Sequence, residues 1–192
     1  MFKKKQKIFS ATDEELVRML SGSKPEAEEA FNEIYSRYAS NVHAYCQKIL
    51  GSYELAEDIF QDTFVRFFQN IKEDSPATNI IGFLITIARN LCLNYKKSIR
   101  EVVDINDINY SFDFGSNYEK DELLGLITQA LELLDFEYRE AVIMRDYNGF
   151  SYEEIAELCN ISMSNAKSRI FRGRKKIREV LSPYLNDIKK NF

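Results

Sequence analysis

Ser151-Tyr152-Glu153-Glu154-Ile155-Ala156-Glu157-Leu158-Cys159-Asn160-Ile161-Ser162 is the stretch whose reading decides the fold. Ser151 stands three residues before Glu154, the spacing of a capping box. There the hydroxyl and the carboxylate each satisfy a backbone N–H that a helix start leaves unpaired. The helix begun this way carries Ile155, Ala156 and Leu158 and stops at Cys159-Asn160-Ile161, a short turn. Ser162 caps a second helix, expected to run to about Leu181. Ala156 is small where the two helices must approach. Two helices joined by a tight turn, with the second available for a major groove, make a helix-turn-helix.

Charge gives the second helix a role. Between Ile161 and Arg178 lie seven bases, Lys167, Arg169, Arg172, Arg174, Lys175, Lys176 and Arg178, and no acid. Seven cations on one helix repel each other, so an anionic partner is expected. Phosphates supply it, while a few side chains near the helix start read base edges. Asn165, Lys167, Ser168, Phe171 and Arg172 lie on or near the groove-facing side. Ala166, Ile170 and Ile177 have the spacing of the core side. A solvated basic face would share this charge but not the capped first helix and the short turn.

Outward from this motif the chain reads as all-α. Asp135 is expected to cap a helix over Phe136–Tyr147, before the Asn148-Gly149 turn. Upstream of it, Leu123, Leu124, Ile127, Ala130, Leu131 and Leu134 form one apolar face. Glu101 to Glu122 holds seven acids and one base with no sustained period, the composition of a linker. A first helical block precedes it. Thr12 or Ser10 can cap an opening helix. Ala27–Leu50 carries Ala30, Phe31, Ile34, Tyr35, Tyr38, Val42 and Tyr45 at helical spacing. Leu55–Ile71 carries Leu55, Ile59, Phe60, Phe64, Phe67, Phe68 and Ile71. After a loop at Lys72–Asn79, Ile80–Ser98 turns Phe83, Leu84, Ile87, Ala88, Leu91 and Tyr95 inward. The expected layout is two small helical domains, 1–99 and 122–192, joined by an acidic linker at 100–121.

The whole-chain balance, 26 Lys+Arg against 30 Asp+Glu for a net charge of −4, hides this division. Taken alone it argues against a nucleic-acid partner. Taken by segment it separates an acidic linker from a basic helix. Cys46, Cys92 and Cys159 are odd in number and far apart, which excludes a disulfide framework and a zinc-finger spacing and fits a reducing cytoplasm. No apolar run approaches the ~18–20 residues that span a bilayer. His43 and Cys46 share a helical face, but no further ligand has suitable spacing, so no metal is expected. No nucleophile–base pair, P-loop or dinucleotide fingerprint occurs, so neither catalysis nor a cofactor is expected.

These blocks resemble a known family. Gly149-Phe150-Ser151-Tyr152-Glu153-Glu154-Ile155-Ala156 and Lys167-Ser168-Arg169-Ile170-Phe171-Arg172-Gly173-Arg174 are similar to region four of bacterial RNA polymerase sigma factors. Ala56-Glu57-Asp58-Ile59-Phe60-Gln61-Asp62-Thr63-Phe64 and Phe83-Leu84-Ile85-Thr86-Ile87-Ala88-Arg89-Asn90-Leu91-Cys92-Leu93-Asn94-Tyr95 are similar to region two. Two blocks on a short linker resemble the extracytoplasmic-function (ECF) subgroup.

The resemblance implies a promoter-specificity subunit without covalent chemistry. Glu57, Asp58, Gln61 and Asp62 would dock on the coiled coil of core polymerase's largest subunit. Asn90 and Asn94, with Lys97 nearby, would face the −10 element where a base leaves the stack. Asn165, Lys167, Ser168, Phe171 and Arg172 would meet the −35 element of promoter DNA. The linker would run through the polymerase's RNA channel, and an anti-sigma partner is expected. The residues suit these roles. Asp58 and Asp62 lie one turn apart. An amide offers both donors and acceptors to an extruded base. From Ile80 to Arg100 there are bases and no acid. The sequence also departs from the family. Phe83 stands where Trp is frequent, Thr86 for Arg, Asp135 for Pro, Asn94 for Asp, and Ser164-Asn165 for Gly-Thr. The Lys72–Asn79 loop lacks the usual aromatic and basic residues. The alternative is a free-standing helix-turn-helix regulator, which has no need of the first block.

Overall fold

The computed structural model describes residues 10–71, 79–102 and 120–190. Residues 72–78 of the expected loop and 103–119 of the expected linker lie outside the described residues. Among the described residues every regular element is a helix. They are α1 (Asp13–Leu20), α2 (Lys24–Leu50), α3 (Tyr53–Asn70), α4 (Ile80–Val102), α5 (Lys120–Glu132), α6 (Phe136–Asp146), α7 (Tyr152–Cys159) and α8 (Met163–Lys190). The chain divides into two compact units, Met1–Cys46 with Glu54–Glu101, and Gln47–Tyr53 with Val102–Phe192.

In the first unit Thr12 is the cap of α1. Its backbone N–H donates to Glu15 at 2.8 Å, and its hydroxyl accepts the Glu15 N–H at 3.3 Å. α1 buries Leu16, Val17 and Leu20. α2 starts three residues ahead of the expected Ala27. Ser23 donates to the Glu26 carboxylate from its backbone (3.0 Å) and its hydroxyl (2.6 Å), and Pro25 sits in the first turn, where no donor is needed. Ala30, Ile34, Val42 and Tyr45 are buried along α2. Phe60, Phe64 and Phe67 are buried along α3. Phe64 meets Tyr35 and Phe60 at ring-centroid distances of 5.0 and 5.3 Å, edge-on or tilted, as aromatic quadrupoles prefer. Tyr35 and Phe68, expected inward, remain largely exposed at the rim of this cluster.

α4 corrects the sequence reading of its inner face. Its buried residues are Ile80, Leu84, Ile85, Ala88 and Cys92, whereas Phe83, Ile87, Leu91 and Tyr95 are half-buried. The first turns of α4 are apolar all round, so periodicity leaves the face undetermined. The helix also continues past Ser98 to Val102.

The core of the second unit is aliphatic, and α8 packs on α5, α6 and α7. Ala130 and Leu131 of α5, Ala141–Met144 of α6, Ile155 of α7, and Ala166 and Ile170 of α8 are buried. Asp135 precedes α6 as expected but makes no side-chain cap. Its carbonyl accepts the N–H groups of Tyr138 and Arg139 instead, both at 3.0 Å. Arg139 folds back on the end of α5, donating to the carbonyls of Glu132 and Leu134. Burial lowers the pKa of this guanidinium, partly opposed by Glu132. α8 does not stop near Leu181 but continues through Pro183 to Lys190. One missing donor at an exposed position does not end the helix.

Candidate nucleic-acid interface

The α7–turn–α8 unit is built by its caps. The Ser151 N–H donates to the Glu154 carboxylate at 2.8 Å, and the Glu154 N–H to the Ser151 hydroxyl at 3.1 Å. α7 ends at Asn160, which takes the left-handed conformation (φ 53°) that Asn tolerates better than most residues. The N–H of Ile161 returns to the Ala156 carbonyl at 2.9 Å, which closes the turn. Ser162 accepts the Asn165 N–H at 3.2 Å and starts α8.

Gly173 sets how closely α8 approaches α6. A Cβ there would lie 2.6 Å from Val142 Cγ2 and 3.1 Å from the Tyr138 carbonyl oxygen. Only glycine permits this approach. A glycine inside a basic helix, otherwise costly, is the signal in the sequence. Ala166, Ile170 and Gly173 form the inner stripe, and Ile177 is half-buried further along it.

The cations of α8 fall into two groups, which corrects the argument from mutual repulsion. Arg169 pairs with Glu137 at 2.7 Å. Arg174 pairs with both carboxylate oxygens of Asp146, its Nε donating at 3.0 Å. That hydrogen bond raises the Arg174 pKa further. Lys175 lies 3.9 Å from Glu179. The first two pairs tie α8 to α6. Lys167, Arg172, Lys176 and Arg178 have no acidic partner among the described residues, so the expectation of an anionic ligand narrows to these four.

Asn165, Lys167, Phe171 and Arg172 are exposed and Ser168 is half-buried. The helix brings these five residues to one outer side of the first turns of α8. Phe171 is 71% exposed, a large cost for an aromatic that meets no partner. Beside it lies a groove of about 470 Å³ lined by Tyr152, Lys167, Phe171, Arg174, Lys175 and Arg178. The Lys167 ammonium stands 5.5 Å from the Tyr152 ring centroid and the Arg145 guanidinium 4.8 Å from it. Sequence reasoning missed Tyr152 as part of this surface. Its signal was its place immediately after the capping Ser151. An exposed aromatic among these cations has the chemistry to meet a polyanion and its base edges.

Two other sets lie in the first unit. Asn90, Asn94 and Lys97 are all exposed, at successive turns of α4, and form one polar stripe opposite its buried seam. Asp58 and Gln61 are exposed on α3, and Glu57 and Asp62 half-exposed beside them. Glu57 accepts from Gln61 at 3.1 Å and lies 3.4 Å from His43 Nε2. Asp62 pairs with Arg66 at 2.9 Å. Cys46, on the same face of α2 as His43, is fully buried. Among the described residues no three His, Cys, Asp or Glu side chains gather.

The chain is similar to known proteins. The family model "Sigma-70 region 2" matches residues 34–101, and "Sigma-70, region 4" matches 124–177. The RNA polymerase sigma factor CarQ of Myxococcus xanthus is 30% identical over 158 residues, 81% of this chain and 91% of CarQ. The ECF RNA polymerase sigma factor EcfG of Rhodopseudomonas palustris is 33% identical over 144 residues, 73% of this chain and 79% of EcfG. The chain belongs to the ECF sigma factors of RNA polymerase. Among solved structures, the sigma factor RpoE in complex with the anti-sigma factor NepR from Bartonella quintana is 25% identical. It aligns with a TM-score of 0.63 over 79% of this chain and 96% of that one. CnrH in complex with the cytosolic domain of CnrY, 20% identical, shares the fold with a TM-score of 0.68 over 89% and 97% of the two chains. In this sigma factor region 2 spans most of α2 with α3 and α4, and region 4 spans α5 to the basic part of α8. No helix among the described residues is long and apolar enough to cross a membrane.

Proposed function

We propose that this sigma factor directs core polymerase to a two-part promoter. α8 enters the major groove of the −35 element, with Asn165, Lys167, Ser168, Phe171 and Arg172 against base edges and adjoining phosphates. Lys176 and Arg178 add phosphate contacts further along the helix. The single observation that carries this reading is the segregation of cations on α8. Arg169 and Arg174 are spent on α6, while Lys167 and Arg172 remain without acidic partners beside an exposed Phe171.

In the same reading Asn90, Asn94 and Lys97 face the −10 element and receive a base that has left the stack. Glu57, Asp58, Gln61 and Asp62 meet a basic partner helix, the coiled coil of the polymerase's largest subunit. Acid at that surface suits a protein partner and repels DNA. The domains divide at 1–99 and 122–192. The acidic segment 100–121 suits a channel built with positive charge for RNA. The protein works in the cytoplasm without covalent chemistry or a cofactor. An anti-sigma factor holds it inactive, in keeping with the similar sigma factor RpoE, which is found in complex with the anti-sigma factor NepR. A free-standing regulator is disfavoured, because region 2 would have no task.

Run-off transcription with purified core polymerase on a genomic fragment library tests the whole reading. Promoter-specific transcripts that require this chain are expected. No complex with core and no transcript would overturn it.

A further inference from the structure

One carboxylate in the first unit links three helices. Asp13, the first residue of α1, accepts the Tyr38 hydroxyl of α2 through Oδ1 at 2.6 Å. Its Oδ2 accepts the backbone N–H of Ile80, the first residue of α4, at 2.9 Å. Arg37 stands 3.8 Å from the same Oδ1 and is itself held by Glu33 at 2.7 Å and the Ala11 carbonyl at 2.8 Å. The Asp13 side chain is only 17% exposed.

The start of α4 already has a local cap, since Asn79 accepts the Gly82 N–H at 2.8 Å. A local cap is enough to start a helix. Asp13 adds what Asn79 cannot, because it fixes where that start lies against α1 and α2. The seam beneath α4, Leu84, Ile85, Ala88 and Cys92, is apolar, and apolar burial is non-directional. Charge-assisted hydrogen bonds are directional and short. At 1.5 Å per residue, Asn90 and Asn94 lie roughly 15 and 21 Å along the axis from Ile80. Over such a rod, a displaced first turn displaces both exposed amides.

We propose that Asp13 is a positioning residue for promoter opening. With Tyr38 it anchors the first turn of α4, so that Asn90 and Asn94 meet the −10 element in one register. This inference rests on assigning α4 to the −10 element.

The test uses reconstituted holoenzyme on a promoter recovered by run-off selection with the wild-type chain. Asp13→Ala, Asp13→Asn and Tyr38→Phe are compared with Asn90→Ala and Asn94→Ala. Closed-complex affinity, opening rate by permanganate reactivity, and transcription from the same promoter with a pre-melted −10 bubble are measured. Asp13→Ala is expected to slow opening about fivefold or more, the factor that the net contribution of one typical hydrogen bond represents. Core and closed-complex affinity should hold, and the pre-melted template should restore transcription. Asp13→Asn, which keeps one acceptor, should recover much of the rate. Opening at the wild-type rate in Asp13→Ala overturns the proposal, as does a defect the pre-melted template leaves in place. If Asp13→Ala does not assemble with core, Tyr38→Phe reads the same link, and its wild-type opening rate would overturn it. If instead the Asn90 and Asn94 variants open normally, the assignment of α4 fails, whatever Asp13 does.

Discussion

The charged faces of α3 and α8 are built on opposite plans. On α3 the ties are mostly within the helix. Asp62 pairs with Arg66 and Glu57 with Gln61, each one turn apart, and one contact, Glu57 with His43, reaches α2. On α8 Lys175 and Glu179 pair within the helix, but the two shorter ties reach α6, with Arg169 on Glu137 and Arg174 on Asp146. Exposed pairs one turn apart contribute only about 0.3–0.5 kcal/mol, so the α3 face is nearly free of structural duty. α8 serves two purposes. Its buried stripe holds the fold, with Arg169 and Arg174 tied to α6 on either edge of it, and its outer side presents cations without acidic partners. Substitutions on α8 should therefore divide sharply into those that unfold and those that only weaken binding.

The largest expected effect breaks the structural side of α8. Gly173→Val puts branched atoms where even a Cβ lies 2.6 Å from Val142. It should destabilise the second unit by about 3 kcal/mol, at the upper end of overpacking costs. Gly173→Ala should cost less, because alanine recovers up to about 1 kcal/mol of helix propensity. Calorimetry of the C-terminal transition checks both. An alanine variant more stable than wild type would show that α6 can yield and that Gly173 does not set the approach of α8.

Next come the cations themselves. Lys167→Ala and Arg172→Ala should each weaken −35 duplex binding by roughly 1–3 kcal/mol with little effect on the thermal transition, since neither loses an ion pair and Arg172 gives up only a long hydrogen bond to Tyr138 at 3.5 Å. Arg169→Ala should do the reverse, losing about 1 kcal/mol of stability through its pair with Glu137. Fluorescence anisotropy on a −35 duplex, run beside thermal melts, separates the two classes. If Arg169→Ala and Lys167→Ala behaved alike in both measurements, the division of α8 would be wrong.

How far the sequence reveals this arrangement depends on the range of the interaction. Capping boxes are local, and Ser151-Glu154 was readable because both partners sit within one turn. Most helix positions were readable from periodicity for the same reason. The inner face of α4 was not, because apolar residues surround its first turns and only the partner helices select a side. Asp135 stands at the N-cap of α6 as the sequence indicates, but its side chain makes no cap because its own carbonyl takes the Tyr138 and Arg139 N–H groups. The pairing of Arg169 and Arg174 with acids of α6 lies 28 or more residues away, beyond any local pattern. So the sequence shows seven cations but not which four lack acidic partners. Asp13 is the extreme case, since its role at α4 depends on a contact 67 residues distant.

A smaller effect sharpens the α3 side of the comparison. Asp62→Arg should lower affinity for core polymerase by roughly tenfold or more, because like charges set against each other across an interface cost several kcal/mol. Folding should be almost untouched, as only the exposed Arg66 pair is lost. A core-binding titration with labelled sigma factor, alongside a denaturant curve, reads both. Wild-type affinity would remove α3 as the docking face, while a large loss of stability would mean that its acids are structural, like the acids of α6 that hold Arg169 and Arg174.

The smallest effect concerns pH and falls on the first unit. Burial, and the hydrogen bond to Asp13, push the Tyr38 hydroxyl up to about 12 from its ordinary 10.0. Folding therefore favours the neutral phenol. The stability this contributes is complete below the unfolded value of about 10 and is lost as pH rises through the folded value. Tyr38→Phe removes the titration along with the bond. The gap in denaturant midpoint between wild type and Tyr38→Phe should be widest near pH 9 and should narrow towards pH 11 and above. In the second unit Tyr147 is also raised, by burial first and by Asp146 next, so Tyr147→Phe should narrow the gap for that unit's transition instead. A gap for Tyr38 that stayed constant across this range would mean that the hydroxyl does not titrate against Asp13. The carboxylate would then hold α4 without help from α2.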